Sequence, residues 1–195
     1  MANTQKEKKL YLTFDEGYEN GHTAEILDIL KEKGVPAAFF ITGPYAKKEN
    51  ELVRRMIDEG HIVGNHTVNH PNLPKLQTAE KMEDELSQMR ELVLELYGYE
   101  MKYMRPPEGE YSRRLLAVSR DMGFRTVFWS FAYKDWDVKA QKGKEYAFNQ
   151  VSEYLHNGAV LLLHAVSEDN KKALPDIIDY ARSQGYEFMS LDDIK

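Results

Sequence analysis

The 195-residue chain contains no cysteine, which excludes disulfide bonds, zinc–thiolate sites and thiol nucleophiles. It also contains no run of about 18 consecutive apolar residues, so no membrane-spanning helix is expected. Basic residues do not predominate, since 26 lysines and arginines stand against 32 acidic residues. Phosphate recognition usually requires a basic surface, so nucleic acid is not an expected partner. The polar start of the chain lacks the apolar core of a signal peptide, so no export signal is expected.

Internal repeats, low-complexity tracts and interdomain linkers are lacking as well. The composition is that of a soluble globular protein, with 42% hydrophobic and 30% charged residues. A chain of this length can bury one sizeable core but is too short for two domains of ordinary size. We therefore expect a polar N-terminal tail over residues 1–8 and one domain over residues 9–195, acting as a monomer.

The apolar residues recur alternately at the spacing of a strand and at the spacing of a helix. Strands are predicted over 8–14, 37–42, 61–64, 101–104, 125–130, 159–163 and 186–191, with helices or helix-sized loops between them. Parallel neighbours need such crossover connections, so the pattern predicts an α/β fold with about seven parallel strands. The pattern alone leaves two arrangements open: a small closed barrel or an open, doubly wound sheet.

Chemically capable side chains follow the ends of these predicted strands. They are Asp15, Glu16, His66, His70, Arg105, Asp135 and His164. Each has an ordinary alternative: the two acids suit a turn, the arginine suits an exposed loop, and His164 suits a buried core histidine. In a parallel sheet or barrel, however, the carboxyl ends of the strands gather on one face, where such folds carry their active sites. The shared location therefore favours one catalytic site.

The types of residue in this set indicate a hydrolytic reaction. Two histidines and a carboxylate that leave one position open for water are typical of a catalytic metal site. A second carboxylate could deprotonate that water, and an arginine could keep the carboxylate ionised. A histidine across the site could protonate a leaving amine. The set predicts metal-assisted hydrolysis of an amide or an ester.

Five motifs give this set a family resemblance. They are "TFDEG" (13–17), "HTVNH" (66–70), "RPPEG" (105–109), "DW" (135–136) and "LLH" (162–164). In this order they resemble the polysaccharide deacetylases with a NodB-homology domain, carbohydrate esterase family 4, from about Lys9 to Leu191. The resemblance implies a distorted (β/α) barrel and removal of N-acetyl groups from amino sugars.

The resemblance also implies a role for each motif residue. Asp15 would be the general base, paired with Arg105, and His164 the general acid, oriented by Asp135. The implied ligands of a divalent metal ion, with zinc favoured, are Glu16, His66 and His70. The implied substrate-binding groups are the backbone N–H of Glu108 in an oxyanion hole and the groove walls Trp136 and Leu162.

Within the family, stretches such as "EGHIVGNHTVNHP" and "TVFWSFAYKDW" look most like the δ-lactam-forming muramic-acid deacetylases of spore-cortex peptidoglycan. That likeness implies glycan strands as the partner and action outside the cell membrane, in the cell wall or cortex. Two positions depart from the family pattern. Glu16 replaces the usual metal-binding aspartate, and Ala132 stands where many relatives carry aspartate, a change for which the sequence offers no explanation.

Two alternatives stay open. The chain could be a glycan-binding module that retained the groove but lost its metal through Glu16. It could also be a deacetylase of chitooligosaccharide or of another acetylated polysaccharide.

Overall fold

The computed structural model describes residues 7–194, which form seven strands with one or two α-helices between successive strands. The strands are β1 (Lys9–Glu16), β2 (Ala37–Ile41), β3 (Ile62–Asn65), β4 (Tyr103–Met104), β5 (Arg125–Thr126), β6 (Ala159–Leu163) and β7 (Glu187–Phe188). The helices are α1 (Thr23–Lys33), α2 (Gly43–Lys48), α3 (Asn50–Asp58), α4 (Ala79–Tyr97), α5 (Arg113–Asp121), α6 (Lys144–Glu153) and α7 (Glu168–Ser183). No helix within the described residues is both long and apolar enough to cross a membrane.

The seven strands are parallel and form one sheet in the order β5-β4-β3-β2-β1-β6, with β7 paired to the start of β1. The segment after β5 then returns to the opposite edge. The N–H of Ser130 donates to the carbonyl of Val160 at 3.0 Å, and the N–H of Leu162 donates to the carbonyl of Phe131 at 2.9 Å. We call this contact, between residues 130–131 and 160–162, the seam. It closes the sheet and confirms the distorted (β/α) barrel of a single domain.

The fifth strand is shorter than the sequence predicts because its residues change partners. The N–H of Val127 still donates to Met104 of β4 at 2.8 Å, whereas Ser130 and Phe131 pair with β6. The predicted six-residue strand is therefore divided between the two edges that it joins. The seventh strand is likewise reduced to two residues, and helix α2 lies where none was predicted. The predicted tail, residues 1–8, lies mostly outside the described residues.

The barrel has two apolar layers because successive strand residues face opposite sides. On β1, Leu10, Leu12 and Phe14 face outward and pack against the helices. Tyr11 belongs to a separate inner cluster. That cluster also contains Ala38, Phe40, Ile62, Tyr103 and Leu191. The same alternation determines which polar residues at the end of each strand face the barrel interior.

Candidate active site

Residues at the carboxyl ends of the strands reach the barrel interior by the same alternation. On β1, Tyr11, Thr13 and Asp15 face inward, and Asp15 is in register with Phe40 of the inner cluster. Leu162 of β6 pairs with Thr13, so His164, two residues further, comes level with Asp15. Both side chains line a cavity of about 690 Å³ at this end of the barrel.

Asp15 is buried and paired with Arg105. The Arg105 Nη1 donates to Asp15 Oδ1 at 2.8 Å, while its Nε and Nη2 donate to the carbonyls of Val127 and Phe128 at 3.2 and 3.3 Å. The guanidinium is fully buried and lies 4.3 Å from the centre of the Phe40 ring. Burial alone would raise the pKa of Asp15, but the charge and hydrogen bond of Arg105, with further contributions from His66 and His164, outweigh it and lower the pKa. Asp15 is therefore an ionised carboxylate facing the cavity.

The two histidines of the "HTVNH" motif lie beside Asp15. The Nδ1 of His66 is 2.8 Å from the carbonyl of Arg105, to which it donates, so its Nε2 is directed toward Asp15 Oδ2 at 3.6 Å. The rings of His66 and His70 meet edge to face, with centroids 4.9 Å apart. Burial lowers the pKa of His66, which favours the neutral ring. The structure thus brings Asp15, His66 and His70 together on one side of the cavity.

Backbone strain marks the same side of the cavity. Among the described residues, three non-glycine residues have positive φ: Thr67 (68°), His70 (57°) and Glu108 (59°). All three lie at or beside the cavity, and such strained residues cluster at functional sites. The Glu108 side chain lines the cavity and accepts a hydrogen bond from Asn72 Nδ2 at 3.1 Å.

His164 lies across the cavity and is held by Asp135. Its Nδ1 is 2.7 Å from Asp135 Oδ1, and its backbone N–H donates to Asp135 Oδ2 at 2.8 Å. Asn170 Nδ2 donates to the same Oδ2 at 2.6 Å. Burial would lower the pKa of His164, but the hydrogen bond to Asp135 and the charges of Asp135 and Asp15 outweigh it and raise the pKa. The raised pKa extends to higher pH the range in which the imidazole stays protonated. The Trp136 ring packs edge to face on it, with centroids 5.6 Å apart.

Glu16 does not join this set. It is in register with Ile41, which belongs to the outer layer, so its side chain lies on the opposite side of β1 from Asp15. Both carboxyl oxygens are buried without a hydrogen-bond partner. Burial raises the pKa of Glu16 well above its usual value, with the charges of Glu19 and Asp15 adding to the effect, so the group favours the neutral acid.

This placement disagrees with the predicted metal site. Residues 7–194 contain no group of three or more histidine, aspartate or glutamate side chains arranged to hold a metal ion. Glu16 is in register with Ile41 and, across β2, with Asn65 rather than with His66. The described residues therefore do not fit the predicted site of two histidines and Glu16. On β1 the alternation places Asp15 and Glu16 on opposite sides of the strand.

The remaining wall of the cavity follows β5. Trp136, Leu162 and Ala132 line it. Three lining residues were not predicted: Trp129, Tyr133 and Lys134. The available signal was their position between the fifth predicted strand and the "DW" motif, since everything in that stretch follows a strand end.

The family model described as polysaccharide deacetylase matches residues 2–127. The chain belongs to the polysaccharide deacetylase family. The resemblance seen in the five motifs is thereby confirmed. The matched residues include the three motifs that contain Asp15, the two histidines and Arg105, namely 13–17, 66–70 and 105–109.

Three relatives extend the comparison beyond residue 127. This polysaccharide deacetylase is 47% identical to the peptidoglycan-N-acetylmuramic acid deacetylase PdaA of Bacillus subtilis, over 100% of the chain and 73% of that protein. The solved structure of PdaA, described as a family 4 carbohydrate esterase, superposes with a TM-score of 0.94 at 46% identity, covering 97% of this chain and 81% of that one.

The other two relatives differ in what their names describe. A chitooligosaccharide deacetylase of a Bradyrhizobium species is 33% identical over 96% of this polysaccharide deacetylase and 90% of its own length. A family pseudoenzyme from Bacillus anthracis superposes with a TM-score of 0.87 at 25% identity, covering 94% of this chain and 63% of that one.

Proposed function

We propose that this polysaccharide deacetylase hydrolyses the N-acetyl group of N-acetylmuramic acid in peptidoglycan glycan strands and releases acetate. One observation carries the proposal: Asp15, held by Arg105, and His164, held by Asp135, line one cavity. A carboxylate that accepts a proton and an imidazolium that donates one are the two groups that amide hydrolysis requires. The 47% identity to a muramic-acid deacetylase supports the choice of sugar.

The proposed reaction begins with a water molecule beside Asp15. Asp15 accepts a proton from the water as the water oxygen attacks the carbonyl carbon of the acetamide. Glu108 lines the cavity and lies, with positive φ, in the 3-10 turn Pro107–Gly109. The backbone N–H of Glu108 is proposed to stabilise the oxyanion that forms. His164 then donates its proton to the sugar nitrogen, the C–N bond breaks, and acetate and a free amine leave.

The supporting residues keep both groups in the required protonation state. Arg105 stabilises the carboxylate of Asp15, and Asp135 stabilises the imidazolium of His164. Trp136 and Leu162 are proposed to enclose the acetyl methyl group. No step is assigned to a metal ion, because the described residues do not form the predicted three-ligand site.

Acetate release from stem-peptide-free glycan strands tests this function. The products are analysed by mass spectrometry, with zinc, cobalt or manganese added in separate reactions because the family resemblance implies a divalent metal. Loss of one acetyl group from muramic acid is the expected result. Asp15→Asn and His164→Ala should each reduce the rate about a hundredfold or more while circular dichroism shows an intact fold. Wild-type rates in both variants would contradict the assigned roles.

A second candidate is a glycan-binding module without turnover, favoured by the position of Glu16 on the outer face of β1 and by the structural similarity to a pseudoenzyme. It predicts saturable binding of glycan strands without acetate release under every metal condition. A deacetylase of another polysaccharide would instead release acetate faster from chitooligosaccharide than from peptidoglycan strands.

We further propose that the chain acts as a monomer, at the cell wall or spore cortex.

A further inference from the structure

We propose that Lys134 binds the lactyl carboxylate of muramic acid and so selects this sugar over N-acetylglucosamine. The inference rests on the proposed function, because it concerns the substrate of the same cavity. Muramic acid differs from N-acetylglucosamine by a lactyl ether on C3, next to the acetamido group on C2. A residue that distinguishes the two sugars must therefore lie beside the acetyl site.

Lys134 has the charge that this task requires. Among the described residues that line the cavity, it is the only lysine or arginine. Arg105 lies behind Asp15, is fully buried, and has its guanidinium committed to Asp15 and two carbonyls. Lys134 precedes Asp135 and Trp136, so it belongs to the wall that holds His164, the group adjacent to the departing nitrogen.

The Lys134 ammonium is also available to a ligand. Its partner is Asp137, with Nζ and Oδ2 3.4 Å apart, and the two side chains are 65% and 38% exposed. Exposed ion pairs of this kind contribute little net free energy, so a carboxylate from the substrate can replace Asp137 at small cost. The flexible four-carbon stem of lysine allows the ammonium to follow it.

The other charges of the cavity explain why a cation is needed. Asp15 and Glu108 both line it. Arg105 compensates Asp15, whereas the Glu108 carboxyl is contacted by the uncharged amide of Asn72. The proton of His164 is held by Asp135 and assigned to the departing nitrogen, so Lys134 is the cation left to offset the Glu108 carboxylate and to receive the anionic lactyl group. A neutral N-acetylglucosamine residue gains nothing from it.

Binding measured by tryptophan fluorescence tests the inference without requiring turnover. The chain contains two tryptophans, Trp129 and Trp136, and both line the cavity. In an Asp15→Asn background, affinity is compared for two kinds of stem-peptide-free glycan strand. Intact strands keep the free lactyl carboxylates, and amidated strands have these carboxylates coupled to methylamine as neutral amides. The intact strands should bind about fivefold more tightly at low ionic strength, and this preference should shrink in high salt.

Variants assign the preference to one residue. Lys134→Gln should bring the ratio of the two affinities close to one, and Lys134→Arg should restore it. Lys139→Gln is the matched control, because it removes the same charge from an exposed position in the same loop outside the cavity wall. Its ratio should equal that of the Asp15→Asn background.

Two results would overturn the inference: equal affinity for intact and amidated strands before Lys134 is changed, or an undiminished preference in Lys134→Gln. Failure of the proposed function looks different. If the wild-type chain releases no acetate but Lys134 controls the preference, the function is wrong and the assignment of Lys134 holds. If acetate is released from muramic acid with no contribution from Lys134, only the assignment is wrong.

Discussion

Asp135 controls the pH range in which His164 can act as an acid. The pKa of His164 is raised, so the protonated form persists above the usual imidazole value of 6.5 and is lost as pH rises through the raised value. Asp135→Asn removes the charge responsible, so the alkaline limb of the kcat/KM profile should move to lower pH. Asp137→Asn changes an exposed carboxylate two residues away and should leave that limb in place. An alkaline limb unmoved by Asp135→Asn would contradict the acid role of His164.

Glu16 offers a second test at the residue scale. Because its carboxyl is buried on the outer face of β1 and favours the neutral form, Glu16→Gln should keep acetate release within about twofold of wild type. Glu16→Ala should lower the free energy of unfolding by about 1–3 kcal/mol through the cavity it leaves. Both are measured by acetate assay and urea denaturation. Loss of turnover in a folded Glu16→Gln variant would restore the metal-ligand role.

The sequence predicted which residues would meet better than it predicted how they would be oriented. Asp15 lies at the end of β1, and His66, Arg105 and His164 each follow a strand; they could be brought together because parallel strands end on one face. Glu16 shows the limit of that argument. A position after a strand does not specify the side on which a residue faces, and only the alternation along Tyr11, Thr13 and Asp15 provides that information.

At the scale of elements, helix α2 supports the histidine loop. Gly43 begins this helix, and its N–H donates to the carbonyl of Val68, between His66 and His70, at 3.2 Å. A Cβ added at Gly43 would lie 2.6 Å from that oxygen, so backbone must move. Gly43→Ala should therefore destabilise the fold by about 1–3 kcal/mol and reduce acetate release.

The control for this change is Gly17→Ala, because a Cβ at Gly17 would meet nothing within 4 Å. Thermal unfolding and acetate release are measured for both variants. Equal behaviour of the two would show that contact with Val68 does not position the loop. The sequence did not predict α2, since its six residues are too few to show a helical period and contain the Gly-Pro pair typical of a turn. Its role depends on a contact with a distant loop, which no local pattern encodes.

At the scale of the whole molecule, the barrel is closed at the end opposite the cavity by its C-terminal turn. Leu191 is 2% exposed and packs in the inner cluster with Tyr11 and Tyr103. The hydroxyl of Tyr103 donates to Asp192 at 2.7 Å. Leu191→Ala should cost about 2–5 kcal/mol of stability yet leave acetate release at 25 °C nearly unchanged, because the catalytic groups lie at the other end.

The matched control is Leu94→Ala on helix α4, where the leucine is 52% exposed and the cost should stay within about 0.5 kcal/mol. Circular dichroism melts and acetate assays check both variants. If Leu191→Ala abolished turnover in the folded protein, the two ends of the barrel would be coupled rather than separate.

The seam joins two parts of the cavity that are held in different ways. Asp15 and His164 stand on β1 and β6, which are paired along five residues, so their separation is set by the continuous sheet. The wall from Trp129 to Trp136 instead leaves β5, and it is held by backbone pairing with β6 at Ser130 and Phe131 and by the hydrogen bonds of Asp135 to His164 and Asn170. Because Asp135 belongs to this wall and also orients His164, the wall cannot move outward without releasing the acid.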